Sequence, residues 1–356
     1  MQNSNNKKWG IAFFLCTLTL LIILGSITAY IDPYFHYTGP KEGYSYPISN
    51  QRYQNDGIMK HFTYDAMIIG TSMTQNFKTS EFDRLFQVNS IKVPFNGATY
   101  REINDNLKTA VEYNDNLRVV LRCLDYYRLL DAPDNMRYDK SLYPTYLYDK
   151  NPFNDVSYLF NKTILFGPTR KVLLYTDTGR ETTDFDSYGY WQDDYEFGKD
   201  AILKTHTRKE KADEVSAISD ADYQNIFDNI TGNVTTLAEE NPQIDFYLYF
   251  PPYSIYYWDD LNQLGTLEKQ LDAEKYAIEL LLRYENIHLF SFHSEFDLIC
   301  DPDNYKDYTH YGADINAQIL RWMKDGEHLL TTENYEEYCD TIREFYTNYD
   351  YDTLYQ

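Results

Sequence analysis

Three side chains of this 356-residue sequence could do acyl chemistry together, although one of them stands more than two hundred residues before the other two. Gly70-Thr71-Ser72 follows the apolar run Ala66-Met67-Ile68-Ile69 and precedes a helix-like segment, so the pattern predicts a strand-to-helix turn with the Ser72 hydroxyl exposed. Asp307-Tyr308-Thr309-His310 sets an acid and an imidazole three residues apart, which lets the carboxylate orient one ring nitrogen while the other faces a serine hydroxyl. Alone, a serine before a helix reads as an N-cap and an Asp-x-x-His pair as a solvated loop. Together, in the order Ser72, Asp307, His310, they make a triad.

The elements that must position these groups are legible as short apolar or β-branched runs separated by helical periods. Strands are expected at Ala66 to Ile69, Ile91 to Pro94, Val119 to Leu124, Asp245 to Phe250 and Ile287 to Ser291. Between them, Ile103/Leu107/Ala110/Val111, Tyr223/Ile226/Ile230/Val234/Leu237 and Ile315/Ile319/Trp322/Met323 form helical stripes, with a further helix over Leu264 to Tyr284. Such alternation is that of a parallel sheet covered on both faces. Sites in open α/β sheets form beyond the carboxyl ends of strands, and Ser72, Asn96-Gly97, Asp125, Pro251-Pro252-Tyr253-Ser254 and Asp307/His310 all follow strands.

The two blocks and the strand order between them, over roughly residues 60 to 325, resemble the SGNH/GDSL hydrolase superfamily. Within it they are most similar to the membrane-anchored branch that includes the D-alanyl-lipoteichoic acid protein DltD and the alginate acetylation proteins AlgJ and AlgX. The resemblance implies a three-layer α/β/α (flavodoxin-like) domain and a serine esterase or O-acyltransferase. Ser72 would be the nucleophile, His310 the general base and Asp307 its orienting acid. The backbone N–H groups of Ser72 and Gly97 would hold the oxyanion, with Asn96 as a third donor. Thr71 stands where many members carry Asp, and Leu124-Asp125 where the family often offers Asn. An ionised Asp there would repel an oxyanion, so Asp125 is expected to position substrate. Tyr253 and Trp258, with Trp191 from a long insertion, are expected to form an aromatic wall for a sugar, packing being the alternative for each.

Charge and composition narrow the partners. The net charge is −23, and the first 31 residues carry two lysines and no acid, so the remainder is at −25. That surface repels phosphate backbones and argues against nucleic acid. Ile11 to Ile31 is a chargeless run long enough to cross about 30 Å of hydrocarbon. Lys7 and Lys8 before it place the N-terminus in the cytoplasm and all that follows Asp32 outside. The expected order is a stub (1–10), a signal anchor (11–31), a non-helical spacer (32–57), the α/β domain (58–330) with an aromatic lid-like insertion (130–218), and a helical tail (331–356). Basic residues between 199 and 211 read as a solvated connection.

No cofactor is implied. The four cysteines lack a metal spacing, although a Cys300–Cys339 disulfide is compatible with the sequence, and the acids from Asp297 to Asp307 lack the Gly and Glu of an EF-hand. His288 and His293 read as ordinary strand-end histidines. The expected substrate is an acyl ester or acylated cell-envelope polysaccharide or teichoic-type polymer, with a membrane-bound acyl donor as partner. The rival reading is a non-catalytic glycan-binding or assembly protein.

Overall fold

The computed structural model describes residues 2–356, with side chains from Lys7 onward. The chain divides into two compact units: residues up to Thr63 with Tyr138–Asp184, and Tyr64–Arg137 with Phe185–Gln356. The long insertion (130–218) is therefore split, since Tyr138–Asp184 folds with the N-terminal region and the residues on either side of it with the sheet. The expected stub has no structure of its own. From Gln2 it is continuous with helix α1 (Gln2–Ile31), and its first residue lies outside the described residues.

The N-terminal unit begins with α1, whose stretch Lys7–Ile31 is long and apolar enough to cross a membrane or serve as a signal sequence. The chain reverses just beyond it. Asp32 accepts the backbone N–H groups of His36, Tyr37 and Thr38 and the hydroxyl of Tyr158, which fixes that turn. The expected spacer over 32–57 is not free of helix, because Gln51–His61 forms α2. Its buried face includes Gln54, Asn55 and Asp56, so no apolar period betrays it in the sequence. Gln54 accepts N–H from Ser49 and Asn50 and donates to the carbonyls of Pro33 and Pro47, which satisfies its amide in the interior. Short helices between Thr145 and Asp177 complete the unit around Tyr34, Leu147, Tyr158 and Ile164.

The second unit holds five parallel strands, β1 (Ala66–Gly70), β2 (Ser90–Pro94), β3 (Val119–Cys123), β4 (Asp245–Phe250) and β5 (Ile287–Ser291), in the order β2-β1-β3-β4-β5. Every residue of β1, β2 and β3 is buried, as a sheet covered on both faces requires. Even the two cations in these strands are accommodated. Lys92 donates to the carbonyls of Gln75, Phe77 and Asp186, and Arg122 to those of Asn233 and Tyr100.

Three further expectations change here. Ile255–Gln263 is a helix of its own before Leu267–Leu281, and it carries Tyr256, Tyr257 and Trp258 into the interior. Lys199–Thr205 is helical, and Arg208 pairs with Asp259 and Asp352, so the basic stretch is docked and not a loose connection. All four cysteines are free thiols, so Cys300 and Cys339 are not bridged. In the tail, the helix Tyr335–Asn348 stacks Tyr346 on Trp258 at 3.6 Å between ring centroids.

Candidate active site

The site is built at the carboxyl edge of the sheet, around the point where strand order reverses between β1 and β3. β1 ends at Gly70, where a side chain is excluded: a Cβ would lie 2.6 Å from Thr74 Cγ2 and 3.0 Å from Cys123 Cβ. The chain can therefore turn at once into the single helical turn Ser72–Thr74, capped by the Thr71 hydroxyl accepting from the Met73 N–H. Ser72 opens that turn, so its own N–H has no acceptor within it.

The loop bearing the acid and the imidazole is held from several sides. Tyr305 bridges to Tyr311, the Tyr305 hydroxyl donates to the Pro252 carbonyl, and the Ser254 hydroxyl donates to the Tyr308 carbonyl. Asp307 Oδ1 accepts the N–H groups of Thr309 and His310 at 2.9 and 2.8 Å. Its Oδ2 lies 2.9 Å from His310 Nδ1, and His310 Nε2 lies 2.7 Å from Ser72 Oγ. An ionised Asp307 accepts a hydrogen bond from Nδ1–H and so holds the proton on that nitrogen, which leaves the Nε2 lone pair for the serine hydroxyl.

Burial works to raise the Asp307 carboxyl, but the hydrogen bond and charge of His310 and the two backbone N–H groups outweigh it. The acid is held below the ordinary carboxylate range. Asp125 is the opposite case. Burial pushes its carboxyl up, against hydrogen bonds from the hydroxyls of Tyr253, at 2.8 Å, and Thr71.

A cleft of about 320 Å³ opens on the triad, lined by Ser72, Asp125, Tyr127, Thr205, Tyr253, Tyr257, Tyr308 and His310 among others. Asp125 and Tyr253 thus line the same cleft as the triad. Trp258 does not. It is fully buried against Tyr346, Tyr126 and His293, so it belongs to the core, because the helix Ile255–Gln263 turns it inward.

Trp191 is also mostly buried and is not among the residues lining the cleft. Its ring meets His310 edge-on at 5.9 Å and stacks on Phe197, while Lys306 Nζ sits 4.1 Å above it. Burial pulls the Lys306 ammonium below the ordinary lysine range, with Asp307 opposing. Trp191 therefore backs the imidazole; the sugar-facing wall expected of it is not what its packing provides.

Asn96 and Gly97 leave β2 at the same sheet edge, where Pro94 pairs with Gly70, but neither lines the cleft. Gly97 has φ +63°, and its carbonyl accepts from Arg128. The sequence reading missed Tyr127, which is 40% exposed and stacked on Tyr253 at the cleft, and Tyr308, which stacks on His206. The strand-end rule that singled out Asp125 would have found Tyr127 two residues on.

His293 is buried and pairs with Glu274, and His288 pairs with Asp245; neither lines the cleft. Among the described residues no three His, Cys, Asp or Glu side chains gather as a metal site.

No family model matches the chain, and no curated protein sequence matches it. A solved structure from Streptococcus pneumonia named for platelet activating factor is similar over 77% of this chain and 90% of its own, at 11% identity and a TM-score of 0.40. Likeness of that degree decides neither activity nor substrate.

Proposed function

We propose that this chain is a membrane-anchored, outward-facing serine esterase or O-acyltransferase of SGNH type, acting on an acylated cell-envelope polysaccharide or teichoic-type polymer. The observation that carries the proposal is the continuous relay Ser72 Oγ–His310 Nε2–His310 Nδ1–Asp307 at 2.7 and 2.9 Å on the carboxyl edge of a parallel sheet. Lys7 and Lys8 ahead of the apolar run support the orientation.

In the first half-reaction Ser72 Oγ bonds to the acyl carbon as its proton passes to His310 Nε2. The tetrahedral oxyanion collapses, the carbon–oxygen bond to the leaving alcohol breaks, and His310 returns the proton to that alkoxide. In the second, water or a sugar hydroxyl gives its proton to His310 and bonds to the acyl carbon, the bond from that carbon to Ser72 Oγ breaks, and His310 returns the proton to Ser72 Oγ. Hydrolysis and transfer differ only in that acceptor. A membrane anchor favours transfer, since it keeps the site beside a membrane-bound acyl donor and nascent polymer.

The Ser72 N–H at the start of its turn supports a role in holding the oxyanion, with Gly97 and Asn96 as the other proposed donors. Asp125, with Tyr253 and Tyr127 beside it, would position the substrate.

The test is labelling of the full chain in detergent with a serine-directed fluorophosphonate, together with turnover of a small acetyl ester. The wild type should do both, and Ser72→Ala, equally folded by circular dichroism, neither. Equal labelling of the two would remove Ser72 as nucleophile. Absence of both from the wild type would favour the non-catalytic glycan binder.

A further inference from the structure

The N-terminal unit leaves a set of large apolar side chains in the open. Phe153, Val156, Phe160, Phe166, Leu173 and Leu174 are all exposed, Phe166 by 67%. Soluble surfaces rarely gather so many large apolar groups within so short a stretch, and such patches mark interaction sites. What covers this one follows from its position on α1.

Phe160 packs directly on the backbone of α1, for a Cβ on Gly25 would lie 2.9 Å from its ring. Gly25 is well inside the apolar run Ile11–Ile31. The whole run is needed to cross a bilayer: at 1.5 Å per residue it spans about 31 Å, whereas the part before Gly25 spans only about 21 Å, against roughly 30 Å of hydrocarbon. If α1 crosses the membrane, Phe160 lies at hydrocarbon depth and its neighbours lie at or near the interface.

Charge points the same way. Val156 to Tyr175 contains Lys162, Arg170 and Lys171 and no acid, in a chain whose net charge is −23. Arg170 and Lys171 also line, with Phe166, Pro168 and Leu174, a cavity of about 410 Å³ within the same unit. Basic heads beside an apolar face are what an anionic phospholipid leaflet attracts, and long basic side chains reach the interface while their stems stay among apolar groups.

We propose that Val156–Tyr175 is a second membrane element, embedded in the leaflet from which α1 emerges. Phe160, Phe166, Leu173 and Leu174 lie among the acyl chains, and Lys162, Arg170 and Lys171 meet anionic headgroups. The unit is then attached at two places, and it cannot swing freely about the end of α1. This inference rests on the reading of α1 as a membrane anchor.

The test places a nitroxide on Phe166→Cys or Leu173→Cys, with Cys16 and Cys300 replaced by serine, in the full chain reconstituted into vesicles of phosphatidylcholine and phosphatidylglycerol. Leu21→Cys on α1 and Val215→Cys in the sheet unit serve as hydrocarbon and water references. Collision with oxygen, which concentrates in hydrocarbon, is compared with collision with a water-soluble nickel chelate. The expected result is oxygen-dominated relaxation at 166 and 173, as at 21. Charge reversal of Lys162, Arg170 and Lys171 to Glu should shift both sites severalfold toward nickel, with the thermal unfolding midpoint unchanged.

Nickel-dominated relaxation at 166 and 173 with 21 still oxygen-dominated would overturn the inference and leave the anchor standing. Protection from both reagents would overturn it in favour of a protein contact, a second copy included. Nickel-dominated relaxation at 21 would remove the anchor and the inference with it.

Discussion

Residues 138–184 and 185–218 adjoin in sequence and are both rich in Tyr and Asp, yet their largest aromatic side chains find different surroundings. The first part leaves Phe153 and Phe166 exposed on the unit that contains α1. The second buries Tyr188 and Trp191, and sets Trp191 against the His310 imidazole. Aromatic density therefore does not assign a role. The surroundings of the ring do: open surface for Phe153 and Phe166 in one case, a histidine at a sheet edge for Trp191 in the other.

The sharpest way to break this contrast is at Trp191. If it holds His310 in place, Trp191→Ala should lower turnover of a small ester and of polymer alike, by about 10²-fold, the cost of misplacing a reacting group by an ångström. The unfolding midpoint should fall as well, because a buried ring is lost. Trp191→Phe should recover most of both, which separates support of the imidazole from mere bulk. Loss confined to polymer, measured as kcat and KM on the two substrates, would restore the sugar-wall reading and erase the distinction between burial here and contact with substrate.

A smaller effect is expected at Asp125, where burial acts on a charge. An ordinary carboxyl titrates at 3.8, and the Asp125 carboxyl is raised in the fold. Below that ordinary value both folded and unfolded states hold the proton and no penalty exists. As pH rises through the raised folded value, burying the ionised form costs stability. Asp125→Asn should therefore raise the unfolding midpoint at pH 7 by a few degrees, and the gain should shrink as pH falls from the raised value toward 3.8 and vanish below it. A lower midpoint at pH 7, read by scanning calorimetry, would show that the carboxylate is fully compensated by Tyr253 and Thr71. Asp307, held low, has the opposite sign: its contribution is present above the ordinary value and is lost as pH falls through the depressed one.

The smallest effect is expected in the first part of the insertion. Phe166→Ser should leave ester turnover in detergent unchanged and alter the unfolding free energy by no more than about 0.5 kcal/mol, as for other exposed sites. A large loss of stability in detergent would mean that the ring is packed against protein, and the contrast with Trp191 would fall.

The sheet was legible because β1 to β3, buried on both faces, are dominated by apolar and β-branched residues with turns between them. Ser72, Asp307 and His310 were legible because each sits beside a local pattern that has a mechanical reason. What escaped had its cause outside the local pattern. The helix Gln51–His61 hides its inner face behind Gln54, Asn55 and Asp56, whose burial depends on partners such as Pro33 and Pro47. Trp258 read as part of a wall because it closes a run of aromatics just past a strand end, whereas a helix begins at Ile255 and turns the ring inward. The division of the insertion was invisible because it is made by contacts of Tyr46 and Ser45 with Thr182 and Thr176, pairs far apart in sequence.

The hydrogen bond between Ser72 and His310 joins residues 238 positions apart. During synthesis the serine therefore emerges long before the base that activates it, and nothing near Ser72 in sequence can substitute for that base. The hydroxyl meets the imidazole only when the loop carrying Asp307 is held by Pro252 and Ser254. On the proposed function an unfinished chain holds an inert alcohol, and completion of folding is itself the act that switches the site on.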